Sequence, residues 1–122
     1  MSKKILVVDD SATVRQQVGL ALTQAGYTVV EACDGQEGLS MLDKGGVSMV
    51  ICDVNMPRMS GLDMLENLRR DPRHAALPVV MLTTEGHPGL VERAKKAGAK
   101  GWIVKPFKAE LMISAVSKLV GA

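Results

Sequence analysis

Met49-Val50-Ile51-Cys52-Asp53-Val54-Asn55-Met56-Pro57 is the stretch from which the fold can be read. Four apolar residues run unbroken into a carboxylate, and a proline follows four positions later. The run is too short for a membrane span and lacks helical period, so it reads as a strand buried on both faces. Asp53 then stands at the carboxyl end of that strand. In open parallel sheets, ligands collect in the crevice beyond the carboxyl ends of the strands. An aspartate in such a place either caps the next turn or does chemistry. What the other strand ends bring to it decides between the two.

Working outward, the same pattern recurs on both sides. Lys4-Ile5-Leu6-Val7-Val8 is an apolar run ending in Asp9-Asp10. Ser11 is a helix N-cap, with Val14, Val18, Leu22 and Ala25 at helical spacing and Gly26 as the stop. Thr28–Cys33 reads as a second strand, less uniformly apolar and so at an edge. Asp34 with Glu37 three residues on is a helix-start pattern, and Gly45-Gly46 closes the helix it opens. After the central stretch, Ser60 and Asp63 open a third helix that Asp71-Pro72 ends. Pro78–Leu82 is the fourth strand, running into Thr83-Thr84-Glu85. A fourth helix from Pro88 carries Leu90, Val91, Ala94 and Ala97 beside many charges, and Gly98 stops it. Gly101–Val104 is the fifth strand, ending at Lys105-Pro106. A last helix carries Leu111, Met112, Ala115, Val116 and Leu119. Five strand–helix units with crossovers of this length predict a doubly wound α/β fold, a five-stranded parallel sheet with helices on both faces. The expected organisation is one domain over residues 1–122, with no output domain in this sequence.

Composition narrows the function. Net charge is +2, too small to imply nucleic-acid binding, and no apolar run approaches a membrane span or a cleavable leader. A cytoplasmic protein is expected. Hydrophobic residues make up 47% and aromatics 2%, so the core must be aliphatic, with most of the 8 Met as gap-fillers. Cys33 and Cys52 lack metal-ligand spacing and read as reduced core thiols. His74 and His87 fall in loops without ligand companions.

The polar residues at the strand ends are Asp9, Asp10, Asp53, Thr83 and Lys105. With the first strand beside the third, three carboxylates come from adjacent strands. Carboxylates that close raise one another's pKa unless a cation joins them. Hard oxygen donors without nearby His or Cys favour Mg²⁺, with Mn²⁺ as the alternative, and such an ion keeps positions for substrate oxygens. A phosphoryl group fits, because the ion, the lysine and the hydroxyl together neutralise its oxygens. The nucleophile is then a carboxylate, and Asp53, central among the strand ends, is the candidate. Asp10 would bind the metal directly, and Asp9 directly or through water.

This ordered set, Asp9-Asp10, Asp53 with Asn55-Met56-Pro57 and Gly61, Thr83, and Lys105-Pro106-Phe107, resembles the receiver domain of bacterial two-component response regulators. The resemblance spans the chain and is greatest to CheY-like stand-alone receivers. It implies a flavodoxin-like strand order of 2-1-3-4-5. It further implies that Asp53 takes a phosphoryl group from a sensor histidine kinase, CheA-like in a chemotaxis setting, without the protein being a turnover enzyme. The backbone carbonyl of Asn55 would join Asp9, Asp10 and Asp53 as a metal ligand. Lys105 would contact the phosphoryl group, and its bond to Pro106 would be cis. Asn55 and Glu85 would tune hydrolysis of the acyl phosphate. Thr83 would shift towards the phosphoryl group, and an aromatic on the fifth strand, here Trp102 rather than the commoner Tyr or Phe, would turn inward. The surface of the fourth helix, fifth strand and fifth helix (α4–β5–α5) would then engage a protein target. Its cations Arg93, Lys95, Lys96, Lys100 and Lys108 are either a solvated face or a patch for an acidic helix. A monomer is expected, with a phosphatase as an optional further partner and neither direct nucleic-acid contact nor membrane insertion.

Other readings share parts of the pattern. A phosphorelay intermediate, a phosphate sink or a receiver excised from a larger regulator would use the same site. An FMN carrier would share the sheet, but Asp9-Asp10 would repel the flavin phosphate. A haloacid-dehalogenase-like phosphatase would need Asp-x-Asp after the first strand.

Overall fold

The strands of the computed structural model, which describes residues 3–54, 59–83 and 88–121, follow the apolar runs. In chain order the elements are β1 Lys4–Val8, α1 Ala12–Gln24, β2 Thr28–Ala32, α2 Gly35–Asp43, β3 Met49–Asp53, α3 Gly61–Arg69, a 3-10 turn Pro72–His74, β4 Val79–Thr83, α4 Pro88–Lys96, β5 Gly101–Val104 and α5 Ala109–Val120. All strand pairs are parallel, in the order β2-β1-β3-β4-β5. The helices begin where short polar side chains satisfy the first free N–H groups. The Ser11 hydroxyl accepts from Val14 N at 3.3 Å. Asp34 accepts from Glu37 N at 2.9 Å, and Glu37 reaches back to accept from Cys33 N at 3.0 Å. Ser60 accepts from Asp63 N at 3.1 Å.

Three boundaries differ from the sequence reading. Cys33 leaves β2 because its N–H serves the Glu37 carboxylate, and the thiol is half-buried rather than in the core; Cys52 is buried. Pro78 has no N–H to give the ladder, so β4 starts at Val79, although the Pro78 carbonyl accepts from Val50 N at 3.0 Å. After α3 the chain makes a 3-10 turn capped by Asp71, which accepts from Arg73 N at 2.9 Å, so His74 ends a helical turn rather than lying in a loop.

Strand side chains alternate, and the sheet therefore divides the core into two. Leu6, Val8, Val50, Cys52, Val79 and Met81 meet Leu42, Leu65, Leu68 and Ala94 from α2, α3 and α4. Ile5, Val7, Met49, Ile51, Val80 and Leu82 meet Val18, Leu22, Met112 and Val116 from α1 and α5. Each fully buried aliphatic side chain contributes about 1.5–3 kcal/mol. Met49, Met64, Met81 and Met112 are among the least exposed side chains, as gap-filling requires. Leu111, assigned to the apolar face of the last helix, is instead 66% exposed, since Met112 and Val116 already fill the stripe that meets the sheet.

Register decides what the upper edge of the sheet presents. Val7 pairs with Ile51, Asp53 with Leu82, Met81 with Trp102 and Thr83 with Val104. Continuing the alternation puts Asp9, Asp53 and Lys105 on the α1–α5 face. Thr83 and Trp102 fall on the α3–α4 face, with Thr83 one row above Trp102.

One side chain holds the opposite edge. The Arg69 guanidinium, at the end of α3, donates to four carbonyls: His74 (2.9 Å), Leu77 (2.6 Å), Gly98 (2.8 Å) and Ala97 (3.3 Å). It ties α3 to the approach to β4 and to the turn between α4 and β5. Arg69→Met keeps most of the stem and strands these acceptors. The expected cost is about 2–4 kcal/mol, with Arg69→Lys recovering part. Urea unfolding at unchanged slope measures it; a loss within 0.5 kcal/mol, roughly the scale of an ordinary surface change, would refute the clamp.

Candidate functional site

Asp9 is the first residue beyond β1, and it is fully buried. Its N–H donates to the Ala32 carbonyl at 3.1 Å, its Oδ1 accepts from Ser11 N at 2.8 Å and its Oδ2 accepts from Lys105 Nζ at 2.9 Å. Lys105 Nζ also lies 3.5 Å from Asp53 Oδ1, so one ammonium serves two carboxylates from different strands. Asp53, the last residue of β3, is 5% exposed, whereas Asp10 is exposed. Carboxylate oxygens of Asp9, Asp10 and Asp53 lie within 4.8 Å of one another. Thr83 ends β4, fully buried, one residue beyond Asp53's strand partner Leu82. The Lys105–Pro106 peptide is cis, as expected.

The electrostatics follow from this crowding. Burial and the charge of Asp9 push the Asp53 carboxyl up to about 6 against the opposing pull of Lys105. Burial works against the Lys105 ammonium, but its hydrogen bond to Asp9 and the charges of Asp53 and Asp9 hold its pKa above the ordinary value. Burial, then Asp53 and Asp9, push the Cys52 thiol far above its usual range. Cys52 Sγ faces the Asp53 carbonyl at 3.4 Å and Met64 Sδ at 3.7 Å and is no ligand for a cation. What remains is a cluster of hard oxygen donors with excess negative charge. That pocket is compatible with a divalent metal ion.

α3 closes against the same strand end. Gly61 N donates to the Val54 carbonyl at 2.9 Å, and its Cα lies so near that a methyl group there would overlap the Asp53 carbonyl and come within 3.0 Å of Met81 Cε. Only glycine permits this approach.

A family model for the response regulator receiver domain matches residues 5–117. The chain belongs to that family. This receiver is 39% identical over 117 residues to chemotaxis protein CheY of Pseudomonas aeruginosa, which spans 95% of this chain and 94% of that protein. It is 42% identical over 117 residues to CheY-3 of Vibrio cholerae, covering 95% and 90%. The solved structure of Vibrio cholerae chemotaxis protein CheY4 at low pH matches it with a TM-score of 0.93 at 39% identity, covering 98% of this chain and 99% of that one. The receiver is CheY-like in both sequence and fold, and the strand order is the one that the resemblance implied.

In this receiver Asp9, Asp10, Asp53 and Lys105 come together, and Thr83 ends the neighbouring strand. Asn55 and Glu85, expected near the site, and His87 lie outside the described residues. Trp102 packs against the α2–α4 core, and its buried indole N–H has no acceptor among the described residues. Of the cations on the α4–β5–α5 surface, Arg93 is already engaged, with Nη2 at 2.9 Å from Asp63 Oδ1 and 2.7 Å from Glu66 Oε1 on α3. Lys95, Lys96, Lys100 and Lys108 are exposed. His74 does have ligand-type neighbours, Asp43 and Asp71, which corrects the reading from sequence. Arg73 Nη2 already stands at 3.1 and 2.6 Å from those two carboxylates.

Sequence reasoning missed Arg15. Its Nη1 donates to the Asp9 carbonyl at 2.6 Å and its Nε to Glu31 Oε1 at 3.1 Å. The available signal was its position four residues after the Ser11 cap, which returns a long side chain over the turn.

Proposed function

We propose that the receiver takes a phosphoryl group on Asp53 from a phosphohistidine of a sensor kinase and passes the change to a protein target. The observation that carries this reading is the buried Asp53 carboxylate sharing Lys105 with Asp9 at the carboxyl edge of the sheet. A carboxylate oxygen of Asp53 forms the new P–O bond as the donor's P–N bond breaks and its electron pair returns to the imidazole nitrogen. Asp9, Asp10 and Asp53 would hold Mg²⁺, which supplies positive charge for the phosphoryl oxygens. Asp53 is then engaged in the acyl phosphate, and Lys105 is placed to turn from it to a phosphoryl oxygen. The Thr83 hydroxyl takes another, and Trp102, one row below on the same face, reports the change to the α4–β5–α5 surface. The exposed Lys95, Lys96, Lys100 and Lys108 suit an acidic partner. A groove of about 690 Å³ beside Lys105, lined by Val14, Leu20, Ala21 and Phe107, offers the donor an apolar approach.

Relatives named as chemotaxis proteins support chemotaxis as the leading context, and a CheA-like kinase would then be the donor. Among the described residues no helix is long and apolar enough to cross a membrane, which suits a cytoplasmic signalling protein. The chemistry is limited to acceptance of the phosphoryl group and its hydrolysis.

Trp102, the only tryptophan, reports the switch. Its fluorescence should change saturably with beryllofluoride in the presence of Mg²⁺, and not in Asp53→Asn. Labelling that persists at another residue in Asp53→Asn, seen by intact-mass analysis, would sink the assignment. Lys105→Ala removes the cation between the carboxylates. Mg²⁺ affinity should hold or rise, while acceptance from acetyl phosphate slows by about tenfold or more and the Trp102 response disappears. A large loss of Mg²⁺ affinity in Lys105→Ala would count against its phosphoryl role.

A further inference from the structure

An arginine in the opening turns of a helix sits at the positive end of the helix dipole, where a cation is disfavoured. Arg15 nonetheless keeps its side chain 81% covered, with a short charge-assisted bond to the Asp9 carbonyl, and Glu31 on the neighbouring strand supplies the compensating charge. Asp9 is held at every polar atom: its N–H by Ala32, its carboxylate by Ser11 and Lys105, and its carbonyl by Arg15. Only the last of these grips the peptide between Asp9 and Asp10. The orientation of that peptide sets the direction in which the exposed Asp10 leaves the chain.

We propose that Arg15 is a positioning residue for the cation site, acting through the Asp9–Asp10 peptide to aim Asp10 and Asp9 together, with Glu31 orienting its guanidinium. This rests on the receiver reading of the site. Arg15 reaches the site through the Asp9 carbonyl and not through the Asp9 carboxylate, its other bond going to Glu31, so its effect falls on metal affinity and not on the acceptance step once metal is saturating.

Calorimetric titration of the full chain with Mg²⁺ tests it, using wild type, Arg15→Met, Arg15→Lys, Glu31→Gln and Val18→Ala. Arg15→Met should raise the dissociation constant about tenfold, the scale seen when an outer partner of a metal ligand is removed. Arg15→Lys should fall between, and Glu31→Gln should give a smaller rise in the same direction. At saturating Mg²⁺, Arg15→Met should accept phosphate from acetyl phosphate at close to the wild-type rate. Val18→Ala, buried in the same helix but remote from the turn, should be destabilised with unchanged affinity. Wild-type affinity in Arg15→Met, or an equal loss in Val18→Ala, would overturn the positioning role. If Arg15→Met does not fold, Glu31→Gln decides, and unchanged affinity there overturns the role of the pair. Should folded wild type itself fail to bind Mg²⁺, the receiver reading of the site falls and this inference with it. Wild type that binds and is phosphorylated beside an unaffected Arg15→Met would remove the inference alone.

Discussion

Asp53→Asn is expected to abolish phosphoryl acceptance and, in the absence of metal, to make the protein more stable at neutral pH. Both effects have one cause. Burial and Asp9 raise the Asp53 carboxyl to about 6, so the folded chain holds a proton there over a pH range in which the unfolded chain has already released it. Stability then falls as pH rises. The contribution is fully present below the unfolded pKa, near pH 4, and is lost through pH 6. The size of the effect is about 2–3 kcal/mol by pH 7.5. Asparagine is neutral throughout and escapes the loss. Urea unfolding of both proteins without metal, at pH 4.5 and 7.5, should show a gap that opens as pH rises. Mg²⁺ should close it by stabilising the wild type alone. A gap independent of pH would mean that charge burial at Asp53 is not the strain in this site.

Gly61→Ala should cost about 3 kcal/mol, at the upper end for overpacking, because the added methyl group meets backbone rather than a mobile side chain. The strand end and the helix start must separate, and the carbonyl that moves belongs to Asp53. Acceptance from acetyl phosphate should therefore slow in the folded fraction as well. Gly19→Ala is the matched control. A methyl group there meets only Val29 Cγ1 at 3.6 Å, ordinary contact, so helix propensity should make it neutral to stabilising by about 0.5–1 kcal/mol. Denaturation of the two variants side by side checks the contrast, and equal effects would refute the close approach at Gly61.

The features legible in the sequence were those that depend on neighbours along the chain. The caps at Ser11, Asp34 and Ser60 are local hydrogen bonds, and the five strands are local runs of apolar residues. Asp9, Asp10, Asp53 and Lys105 could be brought together because parallel order alone places all strand ends at one edge. Contacts between distant segments left no local trace. Arg69 finds carbonyls up to 29 residues away, and Arg93 leaves the expected docking patch to pair with α3. Periodicity also misjudged Leu111, since an apolar residue beside a buried stripe carries the same spacing whether or not the stripe has room for it. Cys33 failed for a different reason. It continues the apolar run, but its N–H had already been claimed by the capping Glu37.

The division of the core by the sheet has a consequence for how information travels. The acidic cluster hangs over the α1–α5 side, whereas Thr83 and Trp102 belong to the other. Between them lie strands buried on both faces, with no charged, hydroxyl or amide side chain below the rim in β1, β3 or β4 apart from Lys4 at the lower end of β1. Polar side chains from the two sides therefore come nearest each other at the upper lip of the sheet, where Asp53 and Thr83 end adjacent strands. Repacking beneath α1 and α5 should consequently alter how firmly the protein folds while leaving the gain of the signal untouched. Two independently adjustable properties sit on opposite sides of one wall.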